Sequence, residues 1–114
     1  MKLLRFGALG EEKPGLLDHE GQIRDLSSHV REIDAEALSP AGLAHLADLD
    51  PETLPIVAKP VRVGAPIPRP GKFIGIGLNY ADHAAEAGLP IPEQPIVFYK
   101  AASCISGPND DILH

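Results

Sequence analysis

Short apolar runs separated by glycine and charged residues fill the first part of the chain. They lie at residues 3–6, 15–18 and 22–26, and the polar, glycine-ended link Asp18–Gly21 joins the last two runs. Apolar runs of this length with such a link between them are typical of strands connected by a hairpin turn. The pattern therefore predicts a small antiparallel meander at the start of the chain.

A short amphipathic helix is predicted next. Ser39 is followed by Pro40, a combination typical of a helix N-cap and the first helical position. Leu43, Leu46 and Leu49 then recur three residues apart, which places them along one side of a helix. We expect this leucine stripe to be the buried side of the helix.

Prolines mark the segment that follows. They stand at positions 51, 55, 60, 66, 68 and 70. Proline cannot donate a hydrogen bond to a β-ladder, and it disfavours helix in the residue before it, so an extended connector or wrapping strand is predicted. The expected organisation is a small N-terminal domain at residues 1–58, a proline-rich connector at 59–70 and the beginning of a second domain at 71–114.

The second domain opens with a different pattern. Phe73–Leu78 is a continuous apolar run, as expected for a strand that is buried on both faces. Asn79 stands where it can cap a short helix, and Gly88 can end that helix in the left-handed conformation. Ile96–Lys100 predicts another strand, and the polar segment 106–111 predicts a turn.

Two glycines lie within the first of these strands. Gly75 and Gly77 precede the helix as the first two glycines of a dinucleotide-binding fingerprint do, but Tyr80 occupies the third glycine position. A tyrosine there would block close helix packing, so a dinucleotide site is not expected. The glycines are interpreted instead as positions where the strand kinks, or where a backbone or a ligand comes close.

Composition limits the fold and the partners. The chain of 114 residues is 44% apolar, which suits one small soluble domain, and its 12 prolines and 11 glycines favour short elements in an α+β arrangement. No apolar run approaches the roughly 18 residues of a membrane helix, and the N-terminus does not resemble a signal peptide, so cytoplasmic location without a membrane partner is expected. The net charge of −6, with scattered basic residues, predicts no nucleic-acid binding.

Two single residues are assigned no chemistry. Cys104 is the only cysteine of the chain, and its apolar neighbours predict a small buried hydrophobe. His45 lies between the leucines of the predicted helix and is expected to face solvent.

The candidate chemistry lies in the short helix of the second domain. His83 and Glu86 stand at i and i+3, which places both side chains on one side of a helix. A carboxylate that orients an imidazole in this way gives the arrangement of a general base that takes a proton from water. The same spacing also occurs in solvated ion pairs, and spacing alone does not separate the two interpretations.

At this point the residues resemble a known family. Gly77–Glu86, followed by Pro95–Lys100 and the loop that begins with Ser106, is similar to the start of the catalytic domain in the fumarylacetoacetate hydrolase family. Residues 1–7 and 13–18 also resemble the small leading domain of bacterial members that cleave diketo-deoxy sugar acids or acylpyruvates, proteins often labelled ureidoglycolate lyase or hydroxyhepta-diene-dioate isomerase.

The resemblance implies an activity and a set of residues. The implied activity is that of a metal-dependent hydrolase that cleaves a C–C bond of an acylpyruvate or 2,4-diketo acid, and the family's catalytic histidine and glutamate fall on His83 and Glu86. The resemblance places Lys100, Asn79 and Tyr80 at positions that face the substrate. Other roles remain open for these residues. Lys100 could be an ordinary solvated lysine at a strand end, Asn79 could be a helix cap, and Tyr80 could be a packing residue.

It also implies partners, a cofactor and a further fold element. The expected cofactor is Mg²⁺ or Mn²⁺, which would bind the keto-acid substrate and stabilise an enolate. The family's Glu-x-Glu ligands do not occur in this sequence, so the metal ligands are expected beyond His114 and the segment alone is expected to be inactive. The second domain is expected to open a mixed β-sandwich roll that forms homodimers.

Alternative activities remain on the same scaffold. Many relatives have an anion-binding arginine where this chain has Leu78. The absence of an arginine at this position disfavours short dicarboxylate substrates. A decarboxylase, an isomerase or another lyase would use the same enolate chemistry, and an inactive fragment or non-catalytic module is the third hypothesis. The fold cannot decide between them.

Overall fold

The computed structural model describes residues 1–112 and shows two units. Residues 1–69 form the first unit together with the segment that begins at Ser106, and Pro70–Ile105 form the second. Chain contacts therefore assign residues 59–69 of the predicted connector to the first unit. The last two residues of the predicted segment 71–114 lie outside the described part of the chain.

The first unit is built on the predicted antiparallel meander. Strands β1 (Lys2–Phe6), β2 (Lys13–Leu17) and β3 (Ile23–Asp25) pair in the order β1-β2-β3. The turn between β2 and β3 forms because Asp18 Oδ1 accepts hydrogen bonds from the backbone N–H groups of Glu20 and Gln22. This is the side-chain-to-backbone pattern that makes aspartate a turn residue.

Helix α1 (Pro40–Ala47) covers the meander, and its predicted N-terminus is confirmed. Ser39 Oγ accepts a hydrogen bond from the Gly42 N–H, and Pro40 is the first helical residue. Leu46 is only 1% exposed and packs in the core with Leu16, Leu26 and Leu54, with Leu49 at its margin. Leu43 is 37% exposed, so of the predicted leucine stripe Leu46 is buried, Leu49 is partly buried and Leu43 is exposed.

The proline-rich segment wraps along this sheet, and a charged network attaches it. Single bridges pair Val63 with Phe6 and Ile56 with Arg24. Arg62 Nε and Nη2 donate to the two carboxylate oxygens of Asp110 at 2.8 and 2.7 Å, and Arg62 Nη1 donates to Glu12 Oε1 at 2.7 Å. One guanidinium therefore binds carboxylates from two distant parts of the chain.

The second unit consists of two strands and a short helix. Strands β4 (Phe73–Gly77) and β5 (Ile96–Lys100) pair antiparallel, and helix α2 (Ala81–Glu86) lies between them in sequence. Gly88 ends the helix with φ +66°, as the sequence predicts. In the described part of the chain, no helix has the length and apolar character needed to cross a membrane.

Three predictions about the second unit are wrong. β4 is not buried on both faces, because this two-stranded sheet has little to cover it and Ile74 and Ile76 are exposed. Asn79 does not cap α2, because the chain stays extended for one more residue and Tyr80 becomes the N-cap without a side-chain hydrogen bond. Cys104 is exposed rather than buried, since it lies in a short 3₁₀ helix (Ala102–Cys104) that has no buried residue.

The glycines of β4 make room for side chains of β5. A Cβ atom at Gly75 would overlap the ring of Phe98, and one at Gly77 would meet Ile96 Cγ2 at 3.3 Å. Gly75 and Phe98 are directly paired across the two strands. The close approach that the glycines allow is therefore that of an aromatic side chain.

Candidate functional site

Helix α2 brings the predicted catalytic pair together. His83 Nδ1 lies 3.6 Å from Glu86 Oε2, the separation that i,i+3 positions on a helix produce. Asp82 accepts a hydrogen bond from the His83 backbone N–H through Oδ1 at 2.8 Å, which satisfies one free donor of the first helical turn. The imidazole is thus held on a short helix with a carboxylate beside it.

The pair is open to solvent. The side chains of His83 and Glu86 are 60% and 84% exposed. A contact between side chains so exposed to water contributes little energy. A bound substrate could reach the imidazole, but the described residues do not exclude water from it.

Lys100 is placed by two aromatic rings. Its Nζ lies 5.3 Å from the ring centre of Phe73 and 5.7 Å from that of Phe98. Both distances allow cation–π attraction, which holds the ammonium group above that face of the β4–β5 sheet. The sequence pattern did not indicate that the two phenylalanines lie beside Lys100. The period of two within β5 places Phe98 and Lys100 on one face, but only the strand register pairs Phe73 with Lys100.

Asn79 and Tyr80 form the exposed junction between β4 and α2. Tyr80 is the helix N-cap through its backbone, and its ring is not packed in a core. Leu78, just before them, has φ +48°, a left-handed conformation that few residues other than glycine adopt. The chain therefore turns sharply between strand and helix, and both side chains remain available to a ligand.

The first unit contains a cleft of its own. It has a volume of about 270 Å³, and the His29 and His45 rings beside it are 6.3 Å apart. His45 is exposed, as the sequence predicts. Within residues 1–112 no group of three or more histidine, cysteine or acidic side chains could hold a metal ion.

A known family matches the last part of the chain. Residues 72–114 match the family described as "Fumarylacetoacetate (FAA) hydrolase C-terminal". The match contains β4, α2, β5 and the His83–Glu86 pair. The family that this segment resembles in sequence is therefore the one whose model it matches.

Relatives extend the similarity to the first unit. A protein of Burkholderia multivorans and one of Burkholderia ambifaria, both named "Putative hydrolase", are each 62% identical over 112 residues. The match covers 98% of this chain and 40% of each relative. The chain thus spans about two fifths of the length of the relatives.

A solved structure supports the fold. The crystal structure described as "a putative HpcE protein from Mycobacterium smegmatis" aligns with 98% of this chain and 40% of its own, with a TM-score of 0.68 and 28% sequence identity. The described part of the chain is a small mixed α and β structure with antiparallel sheets, and the α+β prediction is confirmed at that level.

Proposed function

We propose that this chain belongs to a metal-dependent hydrolase that cleaves the C–C bond of an acylpyruvate or 2,4-diketo acid. The observation that carries the proposal is the His83–Glu86 pair at 3.6 Å on a helix inside the family-matched segment. His83 acts as the general base, Glu86 orients its ring, and Lys100 binds a substrate carboxylate. Asn79 and Tyr80 contact the substrate from the junction before the helix.

The reaction follows from these roles. His83 takes a proton from water, and the hydroxide attacks the distal carbonyl carbon of the substrate. The C–C bond then breaks, and its electron pair goes to the keto-acid half, which is protonated to pyruvate. The products are one carboxylate and one pyruvate, and one water is consumed.

Several features of the proposal depend on polypeptide outside the described residues. The ligands of Mg²⁺ or Mn²⁺ are proposed to lie there, and residues 1–112 contain no group of three or more histidine, cysteine or acidic side chains that could hold a metal ion. The mixed β-sandwich roll is proposed to be completed there as well. A small keto-acid substrate, a homodimer and a cytoplasmic setting complete the proposal.

A chimera tests the activity. The chain replaces the matched segment of the Burkholderia multivorans protein, which is 62% identical to it, so that the product has the full length of that relative. We expect this chimera to hydrolyse acetylpyruvate with added Mg²⁺, and the loss of the enol absorbance measures this reaction. The 114-residue chain alone is expected to be inactive. Measurable turnover by the chain alone would contradict the proposed division of roles.

Variants of the chimera test the residues. His83→Gln should lower kcat/KM by about 10²- to 10⁴-fold, because the general base is lost. Glu86→Gln should give a smaller loss, since the imidazole remains and only its orientation suffers. His45→Gln in the first unit is the matched control and should leave activity unchanged. A folded chimera that decarboxylates oxaloacetate instead would favour the alternative activity, and one without any turnover would favour a non-catalytic module.

A further inference from the structure

Leu78 has a backbone conformation that leucine rarely adopts. Its φ of +48° lies in the left-handed region, and in the described part of the chain every other residue with a positive φ is a glycine. A β-carbon crowds the backbone in this region, so the conformation costs free energy at residues other than glycine. Gly77 stands directly before Leu78 and has no positive φ, so the turn falls on the leucine although a glycine is next to it.

This left-handed residue joins β4 to the helix that carries the proposed general base. Gly77 pairs with Ile96 at the end of β4, and Tyr80 is already the N-cap of α2. The change of direction between the two elements therefore falls on Leu78 and Asn79. A strained residue persists where the structure around it fixes it, and here the ladder fixes one side and the helix cap the other.

The rest of α2 does little to set its direction. The helix has six residues, no side-chain cap and one buried residue, Ala84. At its end the Leu89 N–H donates to the Ala84 carbonyl at 2.9 Å, and the Gly88 N–H donates to the Ala85 carbonyl at 3.1 Å. These bonds close the last turn, but they join residues of the same helix end. The direction of α2 therefore depends on Ala84 and on the junction at the start of the helix.

We propose that Leu78 is a positioning residue, whose left-handed backbone sets the direction of α2 and thereby the place of the His83 imidazole. His83 is the third residue of this short helix, so a change of direction at residue 78 moves the ring together with the helix. The role belongs to a backbone that holds a positive φ and does not require the leucine side chain. The inference rests on the proposed function, in which His83 takes a proton from water.

Two substitutions in the chimera described above separate the backbone from the side chain. Leu78→Asn removes the leucine but keeps a residue that adopts the left-handed conformation readily, whereas Leu78→Val introduces a β-branched residue that does not. The kcat of Leu78→Val should fall by about 10²-fold, because a small displacement of a catalytic group has an effect of this size. Its KM should change by less, since Lys100 lies on β5, outside the junction. Leu78→Asn should keep kcat within roughly threefold of the parent chimera, because the turn is retained.

Leu89→Val is the matched control. It makes the same change at an exposed leucine on the other side of α2. Leu89 has no positive φ, so a β-branched residue is not strained there in this way. This variant should keep the kcat of the parent chimera.

Nuclear magnetic resonance tests the placement of α2 without any assay of activity. A residue with a positive φ gives a strong nuclear Overhauser peak between its own amide and α protons, because these two protons lie close together. We expect this peak for residue 78 in the 114-residue chain and in its Leu78→Asn variant, and its loss in Leu78→Val. The Ala87 N–H donates to the His83 carbonyl at 3.0 Å, and it should exchange at least about 10-fold faster in Leu78→Val.

The possible results separate the proposal from the proposed function. Equal losses of kcat in Leu78→Asn and Leu78→Val would overturn the proposal, and so would a Leu78→Val chimera with the kcat of Leu89→Val. Unchanged exchange of Ala87 in a Leu78→Val chain that has lost the positive φ would overturn it as well. A parent chimera without turnover would contradict the proposed function, while the exchange difference would still support the placement of α2 by Leu78. If Leu78→Val does not fold, Leu78→Asn decides: a retained kcat supports the proposal, and a loss of about 10²-fold overturns it.

Discussion

Gly75 shows how one residue sets the local packing of the second unit. It faces Phe98 across the strand pair, and the ring lies where a side chain at position 75 would begin. The ring centre of Phe98 also lies 5.7 Å from Lys100 Nζ. Because Gly75 has no side chain, the ring can occupy this position and help to place Lys100, which is proposed to bind a substrate carboxylate. The sequence indicated a close approach at this position, but the identity of the approaching group depended on the strand register.

We predict that Gly75→Ala destabilises the β4–β5 pair. The added methyl group displaces the Phe98 ring, and overpacking of this kind lowers stability by about 1–3 kcal/mol. Gly71→Ala is the matched control, because a Cβ atom there meets nothing within 4 Å. Amide exchange of β4 and β5 measures the difference, and equal exchange in the two variants would contradict it.

At the scale of elements, helix α1 and helix α2 differ in what holds them. α1 has a side-chain cap and a leucine in the core, and its start could be predicted from Ser39 and Pro40. α2 has no side-chain cap and its one buried residue is Ala84. An element with so little burial depends on its surroundings for order.

The two leucines of α1 give a prediction for that element. Leu46→Ala should lower the free energy of unfolding of the first unit by about 2–5 kcal/mol, because it leaves a cavity in the core. Leu43→Ala on the same helix is the control and should change it by no more than about 0.5 kcal/mol, since Leu43 is partly exposed. Urea unfolding followed by circular dichroism measures both changes. Similar losses in the two variants would show that the whole stripe is buried.

At the scale of the whole molecule, Arg62 connects segments that are far apart in sequence. Its hydrogen bonds hold the pKa of the Asp110 carboxyl below its usual range, assisted by the Gly107 N–H that donates to Asp110 Oδ2. Hydrogen bonding by Arg62 is also the main cause of the lowered pKa of Glu12, against the effect of burial. The segment from Ser106 is thereby attached to the first unit.

These pKa shifts predict a loss of stability in acid. A carboxyl whose pKa is lowered by folding stabilises the folded state above its unfolded pKa and loses that effect as the pH falls. Unfolding free energy should therefore begin to fall below about pH 4.5, where Glu and Asp of the unfolded chain take up protons. Urea titrations between pH 7 and pH 3 measure this slope.

Asp110→Asn should flatten part of the acid slope, because the amide cannot titrate. Asp111→Asn is the adjacent control and should leave the slope as in the parent protein, since Asp111 is exposed. An unchanged slope in Asp110→Asn would show that the Arg62 contact does not contribute to folding stability.

The sequence by itself determined the local elements, because they depend on nearby residues. The turn at Asp18, the helix start at Ser39 and the helix end at Gly88 each follow from hydrogen bonds or backbone freedom within a few positions. The family match of residues 72–114 and the proximity of His83 and Glu86 could likewise be predicted, since both rest on contiguous residues.

Tertiary structure alone decided which surfaces are covered. The periodicity of apolar residues cannot show whether a strand that is apolar on both faces is covered. In residues 1–112 the β4–β5 sheet has two strands only, and its apolar side chains are exposed. Periodicity also could not predict the contact of Phe73 with Lys100 or the hydrogen bonds of Arg62 to Asp110, because these contacts join residues 27 and 48 positions apart. Such contacts are fixed by strand register and chain path, which the order of residues along one segment does not specify.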